Sequence, residues 1–232
     1  MEIGDRMKLY EGQESDRKLI PLLPVMVRLD GKAFHTWTSD LEKPFSTALQ
    51  LWMQNTTRSL MQATSAKVGY TQSDEITLLL YSQDIRKQIY FDGKIQKLTS
   101  VISSMCTAHF NHMVYHSFAY SRPLAFFDCR VWNVPNLTEA ANCILWRMQD
   151  AERNGVQMLG RAHFSHNQLL NKKCGEIIDM LRVKGVEYHD LFSASKYGEL
   201  FFNFPSFGVD AIKMHEFNKL DTIPKIREIC EL

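Results

Sequence analysis

Asp30 closes an apolar run, Leu22-Leu23-Pro24-Val25-Met26-Val27-Arg28-Leu29-Asp30-Gly31. A second acidic pair, Asp74-Glu75, opens another within Gly69-Tyr70-Thr71-Gln72-Ser73-Asp74-Glu75-Ile76-Thr77-Leu78-Leu79-Leu80. An ionised carboxylate beside a core is costly unless it is paired or bound to metal. Two such strand edges lying side by side would offer oxygen ligands to hard divalent cations. Paired cations neutralise the charge that phosphoryl or nucleotidyl transfer builds on non-bridging oxygens and orient the attacking and leaving groups. Taken alone, Asp30-Gly31 reads as a strand-ending turn and Asp74-Glu75 as an exposed hairpin corner. It is their occurrence together that outlines a site.

The elements around them decide whether the acids can meet. Pro24 to Leu29 reads as a buried strand, and Phe45, Leu49, Trp52 or Met53, and Leu60 recur at helical spacing through Ser46 to Ala63. Ala66 to Tyr70 and Asp74 to Tyr81 form a strand pair turning at Tyr70 to Ser73. Lys87 to Met113 has the apolar spacing of a long helix, and Leu124 to Trp132 reads as a further strand. Strand, helix, strand, strand, helix, strand is the split βαβ of ferredoxin-like domains. The expected class is α+β, a βαββαβ antiparallel sheet with helices on one face, followed by a helix-rich C-terminal extension. In that topology the first and third strands are neighbours, so Asp30 and Asp74 converge. Residues 1–135 are expected to form the catalytic domain and 136–232 the extension packed on it, with a helix over Thr138 to Asp150 and strands around Leu200 to Phe204.

Bulk properties narrow the field. A chain of 232 residues with 45% hydrophobic content can build an ordinary core. The longest apolar run, Ile20 to Val27, contains two prolines and is too short to span a membrane. Alternating charges in Met1-Glu2-Ile3-Gly4-Asp5-Arg6 are unlike a signal peptide, so a cytosolic protein is expected. Five cysteines without a C-x-x-C pair argue against a disulfide framework or a zinc ribbon. A formal charge of +1 gives no global attraction to nucleic acid, so a polyanion would have to be held by local basic patches.

Arg28-Leu29-Asp30-Gly31-Lys32-Ala33-Phe34-His35 and Gly69-Tyr70-Thr71-Gln72-Ser73-Asp74-Glu75 closely resemble the two signature motifs of the tRNA(His) guanylyltransferase family. Lys43-Pro44, Lys94-Ile95-Gln96-Lys97 with Ser103, Phe127-Asp128-Cys129-Arg130-Val131, and Trp146-Arg147 with Gln149-Asp150 continue the resemblance in the same order. One departure stands out: Glu152-Arg153-Asn154-Gly155 occupies the place of a His-Ile-Asn-Asn segment that in the family is associated with selecting tRNA(His). The sequence is thus more similar to the guanylyltransferase-like branch, template-dependent 3′-to-5′ polymerases with a polymerase palm that repair 5′-truncated tRNA.

The resemblance implies roles residue by residue. Asp30, Asp74 and the Gly31 carbonyl would hold two Mg²⁺ ions, with Glu75 in a supporting catalytic role. Gly31, lacking a Cβ, would let backbone and triphosphate approach closely. Lys32, Ala33, Phe34, His35 and Ser73 would cradle the nucleotide, and Lys43, Lys94, Lys97 and Arg130 would clamp its triphosphate by charge-assisted hydrogen bonds. The implied substrates are tRNA, ATP and GTP, and the implied assembly is a homotetramer, a dimer of dimers.

Plainer readings compete at several positions. Lys94 and Lys97 alone would be a solvated helix face. His109, His112 and His116 could line a helix face but lack an acidic or cysteine partner at that spacing. Trp37, Trp52, Trp132 and Trp146 read as core or interface residues rather than base platforms. Two other functions remain open: a palm-fold nucleotidyl cyclase or nucleotide hydrolase, which would turn over free nucleoside triphosphate without RNA, and an RNA-binding scaffold, whose binding would ignore Mg²⁺.

Overall fold

The stretch from Val25 to Gly31 is rich in β-branched and apolar residues and is almost wholly buried, as expected of a strand covered on both faces. It forms β1, second from one edge of a six-stranded antiparallel sheet, in a computed structural model describing residues 1–87, 89–117, 122–191, 193–204, 208–212 and 222–231. The other strands are β2 (Val68–Gln72), β3 (Glu75–Leu80), β4 (Phe127–Asn133), β5 (Glu199–Phe204) and β6 (Gly208–Ile212), in the order β4-β1-β3-β2-β5-β6. The first four reproduce the expected ferredoxin-like pairing, with β1 between β3 and β4.

The helices are α1 (Ile3–Ser15), α2 (Phe34–Trp37), α3 (Thr47–Thr64), α4 (Ile95–Ser117), α5 (Leu137–His163), α6 (His166–Leu169), α7 (Cys174–Val183), α8 (Ser193–Tyr197) and α9 (Thr222–Glu231). The Ser46 hydroxyl accepts from the Leu49 amide to cap α3, and Asn136 caps α5 through the Glu139 amide. Along α4 the buried residues Leu98, Ile102, Cys106, Phe110 and Val114 repeat every fourth position, which aims one stripe at the sheet.

Pleating sorts the strands into two cores. Val25, Val27 and Leu29 face α3 and α4, joined by Ile76, Leu78 and Phe201. Met26 and Leu79 face the other way, against Ala140, Ala141, Ile144 and Met148 of α5 and Ile226 of α9. Burying each such large side chain contributes about 1.5–3 kcal/mol. A third cluster ties the far half of α5, at Val156 and Leu159, to Ile177 and Leu181 of α7. Among the described residues no helix is long and apolar enough to cross a membrane.

The fold differs from the sequence reading mainly in where its elements begin, turn and end. Beyond residue 135, β5 pairs with β2, Leu200 opposite Tyr70, so the C-terminal stretch widens the sheet as well as covering it. The helix expected from Lys87 begins only at Ile95, because Phe91, Asp92 and Gly93 adopt positive φ. The hairpin turns at Ser73-Asp74, later than expected. The helix at 137 runs thirteen residues past Asp150, and α1, which buries none of its residues, carries no periodicity that marked it.

Candidate active site

β1 and β3 are paired antiparallel with Asp30 opposite Glu75, and β1 and β4 with Asp30 opposite Asp128. Gln72 and Glu75 close a two-residue turn in which Ser73 takes a left-handed φ of 50°. Asp74 therefore sits at the hairpin tip, next to the end of β1, and its Oδ1 accepts a hydrogen bond of 3.1 Å from the Ser73 hydroxyl. Its carboxyl is pushed up to about 6, first by burial and next by the charge of Asp30. The Asp30 carboxyl is also raised, by burial and then by Asp128. Among the described residues neither Asp30 nor Asp74 has an ion-pair partner.

Glu75 is different. As the next residue on the strand it points to the α5 side of the sheet, where Arg147 donates to its Oε1 from Nε and to its Oε2 from Nη2, both at 2.7 Å. The Arg28 guanidinium approaches Oε1 to 3.4 Å without hydrogen-bond geometry. Arg147 is in turn bonded to Asp150 at 3.1 Å, and Asp150 accepts from Asn154. Glu75 is thus held by an arginine, whereas Asp74 accepts from Ser73 and, among the described residues, neither aspartate is ion-paired.

Asp30, Asp74 and Glu75 line one wall of a cleft of about 460 Å³. The loop from Lys43 to Ser46 and the residues Gln50 and Gln54 of α3 form a second wall. Arg147, Asn154, Gly155 and Arg161 of α5 form a third, and Ser195, Gly198 and Glu199 complete it. Gln50 donates to the Ser195 hydroxyl at 2.9 Å, and Gln54 donates to the Glu199 carboxylate. Gly198 has a φ of +74°, and a Cβ there would lie 2.5 Å from the Tyr70 hydroxyl, so glycine is required for β5 to leave α8 beside β2.

The pair of acids suits a hard cation held partly by something other than protein. Among the described residues no group of three or more His, Cys, Asp or Glu side chains is arranged to hold a metal ion by itself. Mg²⁺ is commonly held by one or two carboxylates together with substrate phosphates and water, and the mutual repulsion of Asp30 and Asp74 is what such an ion would relieve.

Residues 4–135 match the family described as Thg1: tRNAHis guanylyltransferase. A bacterial tRNA(His) guanylyltransferase (Thg1)-like protein solved in complex with ATP is 36% identical, covers 98% of this chain and 96% of its own, and superposes with a TM-score of 0.87. The chain belongs to the Thg1 family. A second bacterial Thg1-like structure, in complex with GTP, is 32% identical over the full length of both chains with a TM-score of 0.82. An uncharacterized protein of Acanthamoeba polyphaga mimivirus is 35% identical over 67% of this chain, which spans only 61% of that relative's length.

The residues that the Thg1 resemblance singled out do not all meet at one place. Asp30, Asp74, Glu75, Ser73 and Lys43 line the cleft, although the Lys43 ammonium donates to the Thr38 carbonyl at 2.8 Å. Lys32, Ala33 and His35 are exposed on the turn into α2, outside the cleft wall; the Lys32 amide donates to the Phe126 carbonyl, and Ala33 has a φ of 54°. Phe34, between these exposed neighbours, is turned into the core. It is 4% exposed and packs against Trp37, Phe110 and Phe127. The requirement for Gly31 changes with it, because a Cβ at 31 would lie 2.3 Å from the Phe34 ring.

The expected four-residue clamp does not assemble within the chain. Ser103 of α4 is hydrogen-bonded to the Phe127 carbonyl, level with Gly31. Lys97 lies six residues earlier, about 9 Å back along the helix, toward the opposite end of the sheet. Lys94 is ion-paired with Asp16 there, and both lysines line a groove against α1. Arg130 is on β4, exposed and paired with Asp128. The histidines of α4 form no cluster of metal-binding size, although the His112 and His116 rings meet edge to face with centroids 4.4 Å apart.

Arg147 is the residue to which the sequence reading gave no role. It lies on the buried stripe Ile144, Arg147, Met148, Ala151, and a cation within an apolar stripe signals a buried partner. The segment Glu152-Arg153-Asn154-Gly155 also proves relevant to the site, since Asn154 and Gly155 line the cleft.

Proposed function

We propose that this Thg1-family chain is a metal-dependent nucleotidyltransferase that adds nucleotides in the 3′-to-5′ direction to the 5′ end of tRNA, following the complementary acceptor strand to repair 5′-truncated ends. The observation that carries the reading is the convergence of Asp30 and Asp74, unpaired and mutually repelling, on one wall of a cleft large enough for a nucleotide. Support comes from the ATP-bound and GTP-bound Thg1-like structures, whose folds match this one over nearly the whole chain.

Asp30 and Asp74, with the carbonyl of Gly31, would hold two Mg²⁺ ions. Bound magnesium supplies charge neutralisation at the phosphate undergoing transfer and orients the attacking and leaving oxygens. The chain's own groups do the rest. Ser73 fixes the Asp74 carboxylate by its hydrogen bond, and the Glu75–Arg147 pair anchors the strand that presents it. Lys43 is close enough to meet a triphosphate entering the cleft. The 5′-phosphate of the RNA would attack the α-phosphorus of ATP, with pyrophosphate leaving. The 3′-hydroxyl of the incoming nucleotide would then attack the activated 5′-phosphorus, with AMP leaving. Two displacements at phosphorus of the same kind can share one set of carboxylates.

Addition of a single guanosine to tRNA(His) is the narrower form of this activity, and the absent His-Ile-Asn-Asn segment favours the broader one. A cytosolic dimer of dimers belongs to the same reading. The deciding experiment incubates the protein with 5′-truncated tRNA, ATP, GTP and Mg²⁺ and sequences the products. Extension that follows the opposite strand is expected. Turnover of nucleoside triphosphate that is independent of RNA would replace this reading with a cyclase or hydrolase, and Mg²⁺-independent tRNA binding without extension would leave a scaffold.

A further inference from the structure

We propose that Trp146 is the stacking platform for the 5′-terminal base of the RNA whose end enters the cleft, an inference that rests on the nucleotidyl-transfer reading above. The four tryptophans are not equivalent. Trp52 is 2% exposed, and Trp37 packs against Phe34, Trp52 and Phe110, while Trp146 is 55% exposed. Its ring is nonetheless fixed. The guanidinium of Arg28 lies 5.0 Å and that of Arg147 4.8 Å from the ring centroid, within cation–π range. Both cations also approach Glu75, the residue after Asp74.

The position of Trp146 points to RNA rather than to a free nucleotide. Arg147 lines the cleft but Trp146 does not. A ligand longer than one nucleotide, with its reacting end at Asp30 and Asp74, would pass from the cleft onto the adjacent indole. Three and seven residues along α5, on the same exposed side, stand Gln149 and Arg153, the latter with its side chain 65% exposed. On the neighbouring strand, opposite Arg28, the Arg130 side chain is 63% exposed and paired with Asp128. A solvent-facing indole among guanidinium and amide groups is how proteins hold single-stranded ends, by stacking and backbone charge. The surroundings are polar, whereas the centre of a protein interface is depleted of charge.

The test measures affinity for a 5′-monophosphorylated acceptor hairpin RNA and for the same RNA with an abasic 5′-terminal nucleotide. The wild type is expected to prefer the intact RNA by about ten-fold or more, the range for one base–aromatic stack. Trp146→Ala should bind both RNAs with the affinity that the wild type shows for the abasic one, and Trp146→Phe should restore the preference. The proposal is overturned if Trp146→Ala keeps the wild-type ratio, or if it weakens both RNAs equally, as a structural role would. A changed sedimentation coefficient with an unchanged ratio would likewise overturn it and make the indole a protein contact. If the wild type neither binds nor extends either RNA, the nucleotidyl-transfer reading itself falls; if it extends RNA without preferring the terminal base, only this inference does.

Discussion

Glu75 and Arg147, 72 residues apart in the chain, meet through two hydrogen bonds of 2.7 Å in the interior between β3 and α5. The pair fastens the strand carrying the acidic hairpin to the helix that forms the opposite wall of the cleft. Removing one member of a buried ion pair strands the other and costs about 3–5 kcal/mol. Arg147→Ala should therefore lower stability to urea by that order. Arg147→Lys should recover only part, because an ammonium cannot reproduce the two-point geometry. Equal urea midpoints for Arg147→Ala and wild type would refute the anchoring role.

Asp30→Ala and Asp74→Ala should each abolish nucleotide addition while leaving the circular dichroism spectrum unchanged, since neither side chain holds an ion pair that the fold needs. Cation stabilisation of a transferring phosphoryl group is worth several kcal/mol, so a loss of roughly 10³-fold or more in kcat is expected. Wild-type turnover by either variant in a labelled-tRNA extension assay would refute the assignment.

The Asp74 carboxyl, pushed up to about 6 by burial and then by Asp30, stays protonated in the folded chain at pH values where the unfolded chain has already ionised it. The folded state binds more protons in that window, so stability falls as pH rises from about 4 to about 6. In magnesium-free buffer at pH 7, Asp74→Asn should be more stable than wild type by roughly 1–3 kcal/mol, with the difference vanishing below about pH 4. Thermal melts across pH test this, and a variant less stable at pH 7 would contradict it. Added Mg²⁺ should raise the melting temperature of wild type more than that of the variant.

Gly31→Ala places a methyl group 2.3 Å from the Phe34 ring, which is itself wedged among Trp37, Phe110 and Phe127. A rigid aromatic cluster cannot yield as a flexible side chain would, so a loss of about 1–3 kcal/mol is expected from overpacking. The double variant Gly31→Ala with Phe34→Leu should be less unstable than the sum of the two single changes. Strict additivity in chemical denaturation would show that the glycine is needed for another reason.

The sequence alone determined the order of the elements from β1 to β4 and the meeting of Asp30 with Asp74, because alternating strands, a helix period of 3.6 and antiparallel neighbours are local rules that compose into one sheet. It also made the family resemblance legible from strings such as Arg28-Leu29-Asp30-Gly31. Only the tertiary structure decided what those side chains touch. Phe34 lies inside the aromatic core although its motif neighbours are exposed. Glu75 is neutralised by an arginine far along the chain, and Lys97 is carried away from the acids by the axial rise of α4. Strands β5 and β6 join the sheet beyond residue 135, because the free edge of β2 offers backbone hydrogen bonds to any strand that can reach it. Such contacts depend on distances through space between residues with no periodic relation in the chain, and pattern does not encode them.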